Sequence, residues 1–98
     1  MITYVTKRDG KIQEFDSSKI FRAITKAFEI PIDKEHQEEL HEKIDPICIK
    51  VIERINLMHD KIQIEKIQDV IEEELIKSGK TEIARKFIAY RSKRDLAR

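Results

Sequence analysis

Residues 3–24 read TYVTKRDGKIQEFDSSKIFRAI and carry the signals for two strands, a tight turn and the start of a helix. The runs 3–7 and 11–15 contain β-branched and aromatic residues. Between them, Asp9-Gly10 is a strong hairpin signal, because glycine takes a positive φ without steric cost. A lone two-stranded hairpin is marginally stable in water, so this one must pack on another element.

A helix is predicted directly after the hairpin. Asp16, Ser17 and Ser18 are all good N-cap residues. Apolar residues then recur at the spacing of one buried helix face, and Pro31 ends the pattern. The residues of this face are Ile20, Ala23, Ile24, Ala27 and Phe28.

The next helical pattern has its apolar residues between Leu40 and Ile55 and is interrupted by Pro46. Because the apolar phase carries across the proline, one long kinked helix is favoured. The alternative is a separate helix in which Asp45 is the N-cap and Pro46 the first helical residue.

Two more helices complete the predicted fold. One has apolar residues from Ile64 to Leu75 and ends at Gly79, a C-terminal residue of left-handed conformation. The other starts near Thr81 and ends in a basic segment. The predicted fold is mainly α, with an N-terminal β-hairpin capping a bundle of about four helices.

The composition narrows the class of protein. The 98 residues suffice for one domain, and 20 Lys and Arg against 19 Asp and Glu argue against a dedicated nucleic-acid binder. The charge is unevenly distributed: residues 29–45 hold seven acids and two lysines, whereas residues 77–98 hold eight bases and two acids. We therefore expect the C-terminal end to attract anions.

The cysteine and histidine residues predict no metal site and no nucleophile. Cys48 is the only cysteine, which excludes an intrachain disulfide and favours a reducing, cytoplasmic setting. It lies in phase with the apolar stripe, so a buried, inert thiol is expected. His36, His41 and His59 are not spaced one helical turn apart. No export signal or membrane span is predicted.

Two runs of charged residues are better explained as solvent-exposed surface than as functional sites. Glu72, Glu73 and Glu74 would fan around a helix and could not converge on one substrate, so no catalytic carboxylate pair is predicted. The basic segment 85–98 comes without a motif for reading nucleic acid, so only unspecific phosphate attraction is expected from it.

The hairpin and first helix together predict a polyanion site. Lys7 and Arg8 flank the turn, and Lys19 and Arg22 lie one turn apart on the helix that follows. The helix start near Asp16 is expected to add free N–H groups and the positive end of the helix dipole. Taken alone, Lys7 and Arg8 would more often be solvated turn residues.

An ordered series of motifs resembles the ATP-cone domain family over residues 3–94. The series is KRDG in the hairpin, FD-x-x-KI at residues 15–20, IQD-V at residues 67–70 and A-x-x-x-I-x-Y-R-x-x-R at residues 84–94. The resemblance implies a regulatory nucleotide-binding module of a hairpin and a small helical bundle. Such modules usually form the N-terminal domain of ribonucleotide reductases, where ATP activates and dATP inhibits.

The resemblance also implies the site residues. It assigns Lys7 and Lys19 to phosphate and places Asp16 near the nucleotide. This sequence departs from the family pattern at two positions, and both departures concern contacts to the base or the ribose. Gln13 stands where a carboxylate is common, with the acid displaced to Glu14, and Gln68 stands where some members have histidine. The full predicted nucleotide-binding set is Lys7, Arg8, Gln13, Asp16, Lys19, Arg22, Gln68, Arg91 and Arg94.

The sequence is therefore interpreted as a single ATP-cone domain over residues 1–98, with the hairpin at 3–15 and the bundle at 16–98. Expected ligands are ATP or dATP as effector, with Mg²⁺ accompanying the nucleotide. Expected partners are a ribonucleotide reductase catalytic domain or subunit and a second copy of the chain, without membrane or nucleic acid. The alternatives are a non-catalytic helical protein–protein interaction module and a nucleic-acid-associated transcriptional regulator of reductase genes.

Overall fold

A computed structural model of the chain describes residues 4–7, 9–58 and 61–96, with side chains at all of them except 61 and 92–96. It contains a small sheet and five α-helices, which confirms the predicted mainly α class. The elements in chain order are β1 (Tyr4–Thr6), β2 (Ile12–Glu14), α1 (Ser17–Phe28), α2 (Gln37–Lys43), α3 (Asp45–Asn56), β3 (Lys61–Gln63), α4 (Ile64–Lys77) and α5 (Thr81–Leu96).

The sheet has the order β2-β1-β3, with β1 antiparallel to β2 and parallel to β3. The predicted turn forms: Gly10 has a φ of 85°, and the Lys11 N–H donates to Asp9 Oδ1 at 3.0 Å. The third strand was not predicted. It is three residues long, and its one buried apolar residue, Ile62, is too little for a strand pattern.

Both ends of helix α1 are capped. Asp16 is the N-cap, as predicted. The helix ends at Phe28, because Glu29 takes the left-handed conformation with a φ of 60° and the Ile30 N–H turns back to Thr25 O at 3.4 Å. The helix therefore ends before the chain reaches Pro31, where the sequence had predicted its end.

The predicted kinked helix between Leu40 and Ile55 is wrong, because the structure has two helices there. Helix α2 ends at Lys43, and α3 begins at Asp45 with Pro46 in its first turn. Proline has no N–H to donate to the carbonyl four residues earlier, and its ring clashes with that carbonyl. Ile44 joins the helices in a right-handed helical conformation, so the apolar phase continues although the helix does not.

Helix α4 ends at the predicted glycine in a Schellman motif. The Lys80 N–H donates to Leu75 O at 2.9 Å and the Gly79 N–H donates to Ile76 O at 3.0 Å. Gly79 has a φ of 76°, which only glycine takes without strain.

Replacing Gly79 by alanine is expected to lower the free energy of unfolding by roughly 1 kcal/mol, because the left-handed backbone strains an L-residue. Steric overlap adds nothing, since a Cβ at this position meets no heavy atom within 4 Å. Urea denaturation measures the loss, with Gly79→Asn as the control because asparagine tolerates this conformation better. Equal loss in both variants would contradict the explanation.

The core lies where the helices and the inner face of the sheet meet. Cys48 is buried in it, and burial together with the nearby Asp45 carboxylate raises the pKa of the thiol to about 11. The predicted burial of Cys48 is confirmed. Among the described helices, none combines the length and the apolar character needed to cross a bilayer. The fully buried large side chains are Ile24, Ile44, Ile55, Leu75, Val51, Val70 and Thr25.

Candidate functional site

A cavity of about 460 Å³ lies among the sheet, α1, the N-terminal two turns of α4 and the middle of α5. This volume is within the range of roughly 300–1,000 Å³ that small-molecule sites occupy. Its walls include buried apolar side chains from all four of these parts. They are Val5, Ile20, Ile67, Ile71 and Phe87.

Every predicted site residue whose side chain the structure describes lines this cavity. Arg8 and the side chain of Arg94 lie outside the described residues. The others come from four elements, β2, α1, α4 and α5, and from the positions just after β1 and just before α1, and they meet only because the chain folds. That these residues contact a nucleotide stays a prediction. The lining residues from the predicted set are Lys7, Gln13, Asp16, Lys19, Arg22, Gln68 and Arg91.

Strand pairing and helix periodicity explain how these side chains converge. Val5 and Gln13 are directly opposite in the β1–β2 register and therefore point to the same face of the sheet. Lys7 follows β1 immediately. Lys19 and Arg22 are three residues apart on α1, and i, i+3 side chains are neighbours on a helix surface.

Asp16 has a structural role at the edge of the cavity. Its Oδ1 accepts hydrogen bonds from the Ser18 hydroxyl at 2.7 Å and from the Ser18 N–H at 3.0 Å, and these bonds hold the pKa of Asp16 below its usual value. The Lys19 N–H donates to Asp16 O at 3.1 Å. The expectation of free N–H groups at this helix start is therefore wrong for Ser18 and Lys19, because the cap already uses them.

Replacing Asp16 by alanine is expected to lower the melting temperature, because two donors of Ser18 lose their acceptor. Asp16→Asn keeps an acceptor and removes only the charge. Since the folded-state pKa lies below the ordinary value of 3.8, the stabilising effect of the charge is fully present above that value. It is lost as the pH falls through the lower, folded-state pKa.

Thermal melts of the wild type and Asp16→Asn, run from neutral pH into the acid range, measure this contribution. The wild type is expected to melt higher at neutral pH, and the difference is expected to vanish once Asp16 is protonated. A difference that stayed constant across the acid range would show that the carboxylate charge does not stabilise α1.

The cavity wall carries cations that have no ion-pair partner among the described residues. Within the described part of the chain, no carboxylate lies at ion-pair distance from Lys7, Lys19 or Arg22. Glu14 and Asp16 are the acids that share the lining, and Asp16 acts on Lys19 and Arg22 only through space. The cavity therefore presents positive potential toward a ligand.

Arg91 is a different kind of cation. Its Nη1 donates to Asp69 Oδ1 at 3.0 Å and to Glu72, and its Nη2 donates to the Glu65 carbonyl at 3.5 Å. Burial alone would lower the pKa of Arg91, but the hydrogen bonds to Glu72 and Asp69 outweigh it and raise that pKa above its usual value. In this arrangement Arg91 ties α5 to α4, and its charge is compensated.

Gln68 lines the cavity and carries a shielded amide oxygen. Its Oε1 is buried and accepts no hydrogen bond from the described residues. A buried acceptor without a partner is costly, but this oxygen has almost no accessible surface, so the Gln68 amide would have to turn before a ligand could bond to it. Gln68 and Gln13 give the cavity two neutral amides that can orient a base or a sugar.

Sequence reasoning missed several lining residues. Lys26 and Tyr90 both line the cavity, and the Lys26 ammonium lies over the Tyr90 ring, 4.8 Å from its centroid. Glu14 and Phe15 line it as well. The signal for Lys26 was its position seven residues after Lys19, which repeats the same helix face. Tyr90 had no such signal, because it lies on α5 and meets α1 only in the fold.

Comparison with known proteins agrees with the motif series. The model of the ATP cone domain family matches residues 3–96. The chain is 30% identical over 101 residues to the ribonucleoside-diphosphate reductase subunit alpha of Chlamydia pneumoniae, covering 99% of this chain and 10% of that protein. It is 32% identical over 99 residues to the vitamin B12-dependent ribonucleoside-diphosphate reductase of Thermoplasma acidophilum, covering 96% of this chain and 12% of that protein.

A third relative is the anaerobic ribonucleoside-triphosphate reductase of Haemophilus influenzae, 34% identical over 94 residues that cover 96% of this chain and 13% of that protein. The chain thus spans about a tenth of the length of these relatives. The family match extends over nearly all of the fold and includes every element that lines the cavity. This chain belongs to the ATP-cone family of regulatory, nucleotide-binding domains, as its motifs predicted.

Proposed function

We propose that this domain binds ATP or dATP in the cavity beneath the sheet and uses the nucleotide as an allosteric signal. The observation that carries the proposal is the wall of Lys7, Lys19 and Arg22, which line one cavity with no carboxylate of the described residues at ion-pair distance. Three cations without an ion-pair partner among the described residues, around a partly apolar cavity, suit a ligand with a polyanionic tail and a flat, uncharged head.

The two parts of a nucleotide have distinct places in this proposal. The phosphates lie against the cations of β1 and α1, which donate charge-assisted hydrogen bonds. The base and ribose lie near Gln13 and Gln68, between amides that can donate and accept and the apolar side chains behind them.

Mg²⁺ enters the proposal only as the counterion of the triphosphate. Among the described residues there is no group of three or more His, Cys, Asp or Glu side chains that could hold a metal ion. The described residues therefore offer no metal cage, and in this proposal the phosphates supply the ion's ligands.

Regulation in this proposal rests on the difference between ATP and dATP. One ribose hydroxyl can gain or lose a hydrogen bond worth about 1–3 kcal/mol. Allosteric couplings are typically of the same size, so this difference suffices to shift the packing of the domain against a partner. The partners we propose are a ribonucleotide reductase catalytic domain or subunit and a second copy of the chain, in the cytoplasm.

Calorimetric titration of the chain with ATP and with dATP tests the proposal. Saturable heat with either nucleotide is expected, and sedimentation with each is expected to differ if the nucleotide controls assembly. Absence of heat with both nucleotides would overturn the proposal and favour a helical interaction module. Salt-sensitive retention of DNA without any nucleotide requirement would instead favour a nucleic-acid-associated regulator.

A further inference from the structure

Lys26 is a cavity cation that the proposed function leaves unused. It lies on α1 four residues after Arg22 and seven after Lys19, so the three side chains share one helix face. At 1.5 Å per residue, Lys26 is about 10 Å farther along the helix axis than Lys19. Of the α1 residues that line the cavity, it is the farthest from Asp16.

Two contacts define how α5 runs beside this end of α1. Lys86 Nζ lies 3.1 Å from Glu29 Oε1, and the Lys26 ammonium lies 4.8 Å from the centroid of the Tyr90 ring. Residue numbers rise along α5 as they fall along α1, so the two helices are antiparallel here. Lys26 and Tyr90 therefore meet at the end of the cavity that is remote from the start of α1.

The charge of Lys26 is available to a ligand, whereas that of the neighbouring Arg91 is not. Asp69 and Glu72 hold Arg91. Within the described residues, no carboxylate lies at ion-pair distance from Lys26, and its ammonium contacts only the face of a neutral ring. A cation–π contact at an exposed position is weaker than a charge-assisted hydrogen bond to phosphate.

The cavity has different chemistry at its two ends. Gln13 and Val5 at the sheet offer an amide and an apolar surface, whereas Lys26 and Tyr90 offer a cation and a ring. A nucleotide that lies along α1 with its base toward the sheet extends its phosphate chain past Lys19 toward Lys26. The last phosphate of that chain extends farthest toward Lys26.

The geometry points to Lys26 as the residue that recognises the third phosphate of a bound nucleoside triphosphate. This inference rests on the proposed function and names what makes the site prefer a triphosphate over the diphosphate of the same nucleoside. With a diphosphate, the ammonium stays over Tyr90. With a triphosphate, it leaves the ring and donates to the terminal phosphate.

Replacing Lys26 by methionine, which keeps the length and apolar stem of the side chain, tests this assignment. Calorimetric titration is expected to show about a tenfold loss of affinity for ATP, the effect of one charge-assisted hydrogen bond. The affinity for ADP is expected to stay within about twofold, because only weak long-range attraction is lost.

Lys86→Met is the matched control, because it removes the same charge from the same helix pair outside the cavity lining. It is expected to leave the affinity ratio of ATP to ADP unchanged. Equal losses for ATP and ADP in Lys26→Met, or no loss for either, would overturn the assignment while the proposed function stands. If the wild-type chain binds neither nucleotide, both are overturned.

A second measurement follows the Tyr90 ring directly. The chain has two tyrosines, so Tyr4→Phe leaves Tyr90 as the single one. Tyr4 is not part of the cavity lining. In this variant, ATP is expected to shift the ring resonances of Tyr90 in the NMR spectrum more than ADP does, because only ATP draws the ammonium away. Identical shifts with both nucleotides would contradict the inference.

Discussion

Replacing Lys7 and Lys19 together by alanine is expected to lower the affinity of the domain for ATP by about a hundredfold. A hydrogen bond to a charged group contributes about 1.5–3 kcal/mol, so each lysine accounts for at least a factor of roughly ten. Both side chains line the cavity, one after β1 and the other on α1, and no carboxylate of the described residues lies at ion-pair distance from either. Calorimetric titration with ATP measures the loss.

The matched control is Lys34→Ala with Lys50→Ala, two exposed lysines outside the cavity lining. It removes the same net charge, so it reports the loss that long-range attraction alone would cause. Neither pair contributes to the buried core, and the melting temperature is expected to change little in both double variants. If the control lost as much affinity as Lys7→Ala with Lys19→Ala, the cavity would not be the binding site.

Replacing Arg54 by alanine is expected to lower the free energy of unfolding by about 3 kcal/mol, because it leaves a buried carboxylate without its main partner. Arg54 Nη1 donates to Glu74 Oε2 at 2.8 Å across the α3–α4 interface, and the Glu74 side chain is only 6% exposed. The hydrogen bond to Glu74 is also the main reason that the pKa of Arg54 is raised. Lys77 Nζ, 3.9 Å from Glu74, is a distant substitute.

Two controls separate burial from charge pairing in general. Arg85 pairs with Glu82 at 3.2 Å with both side chains largely exposed, so Arg85→Ala is expected to cost at most about 0.5 kcal/mol. Arg54→Met combined with Glu74→Leu removes both charges and is expected to recover most of the loss. Urea denaturation measures all three variants. A cost for Arg85→Ala as large as that for Arg54→Ala would refute the role of burial.

The local parts of the fold could be predicted because their signals lie within a few residues. The Asp9-Gly10 turn, the Asp16 cap and the Gly79 stop all depend on backbone conformations that these residue types favour. The break at Pro46 was misjudged, because apolar spacing is the same whether or not one helical hydrogen bond is missing.

Strand β3 illustrates what local signals cannot carry. Its pairing with β1 places Ile62 beside Val5, far apart in the sequence, and both residues are buried. Strand β3 has three residues and one buried apolar side chain, and this local sequence does not specify β1 as the neighbouring strand. The pairing forms because β1 would otherwise leave backbone groups of the hairpin without partners on that side.

The candidate site, like the fold, could be predicted from the sequence only in part. The motif series marked Lys7, Lys19 and Gln68, and all three line the cavity. The sequence could not show that Arg91 is held by Asp69 and Glu72, since that depends on how α5 crosses α4. It also could not place Lys26 over Tyr90, a contact that exists only because α1 and α5 pack side by side.

By itself, then, the sequence determined α1, α4 and α5, the hairpin, the family and most of the basic residues around the cavity. Those properties follow from side-chain type and spacing along the chain. The tertiary structure alone decided which of the basic side chains are compensated by acids and which stay available to a ligand. That distinction depends on distances between residues from different elements, because charges interact through space and not along the chain.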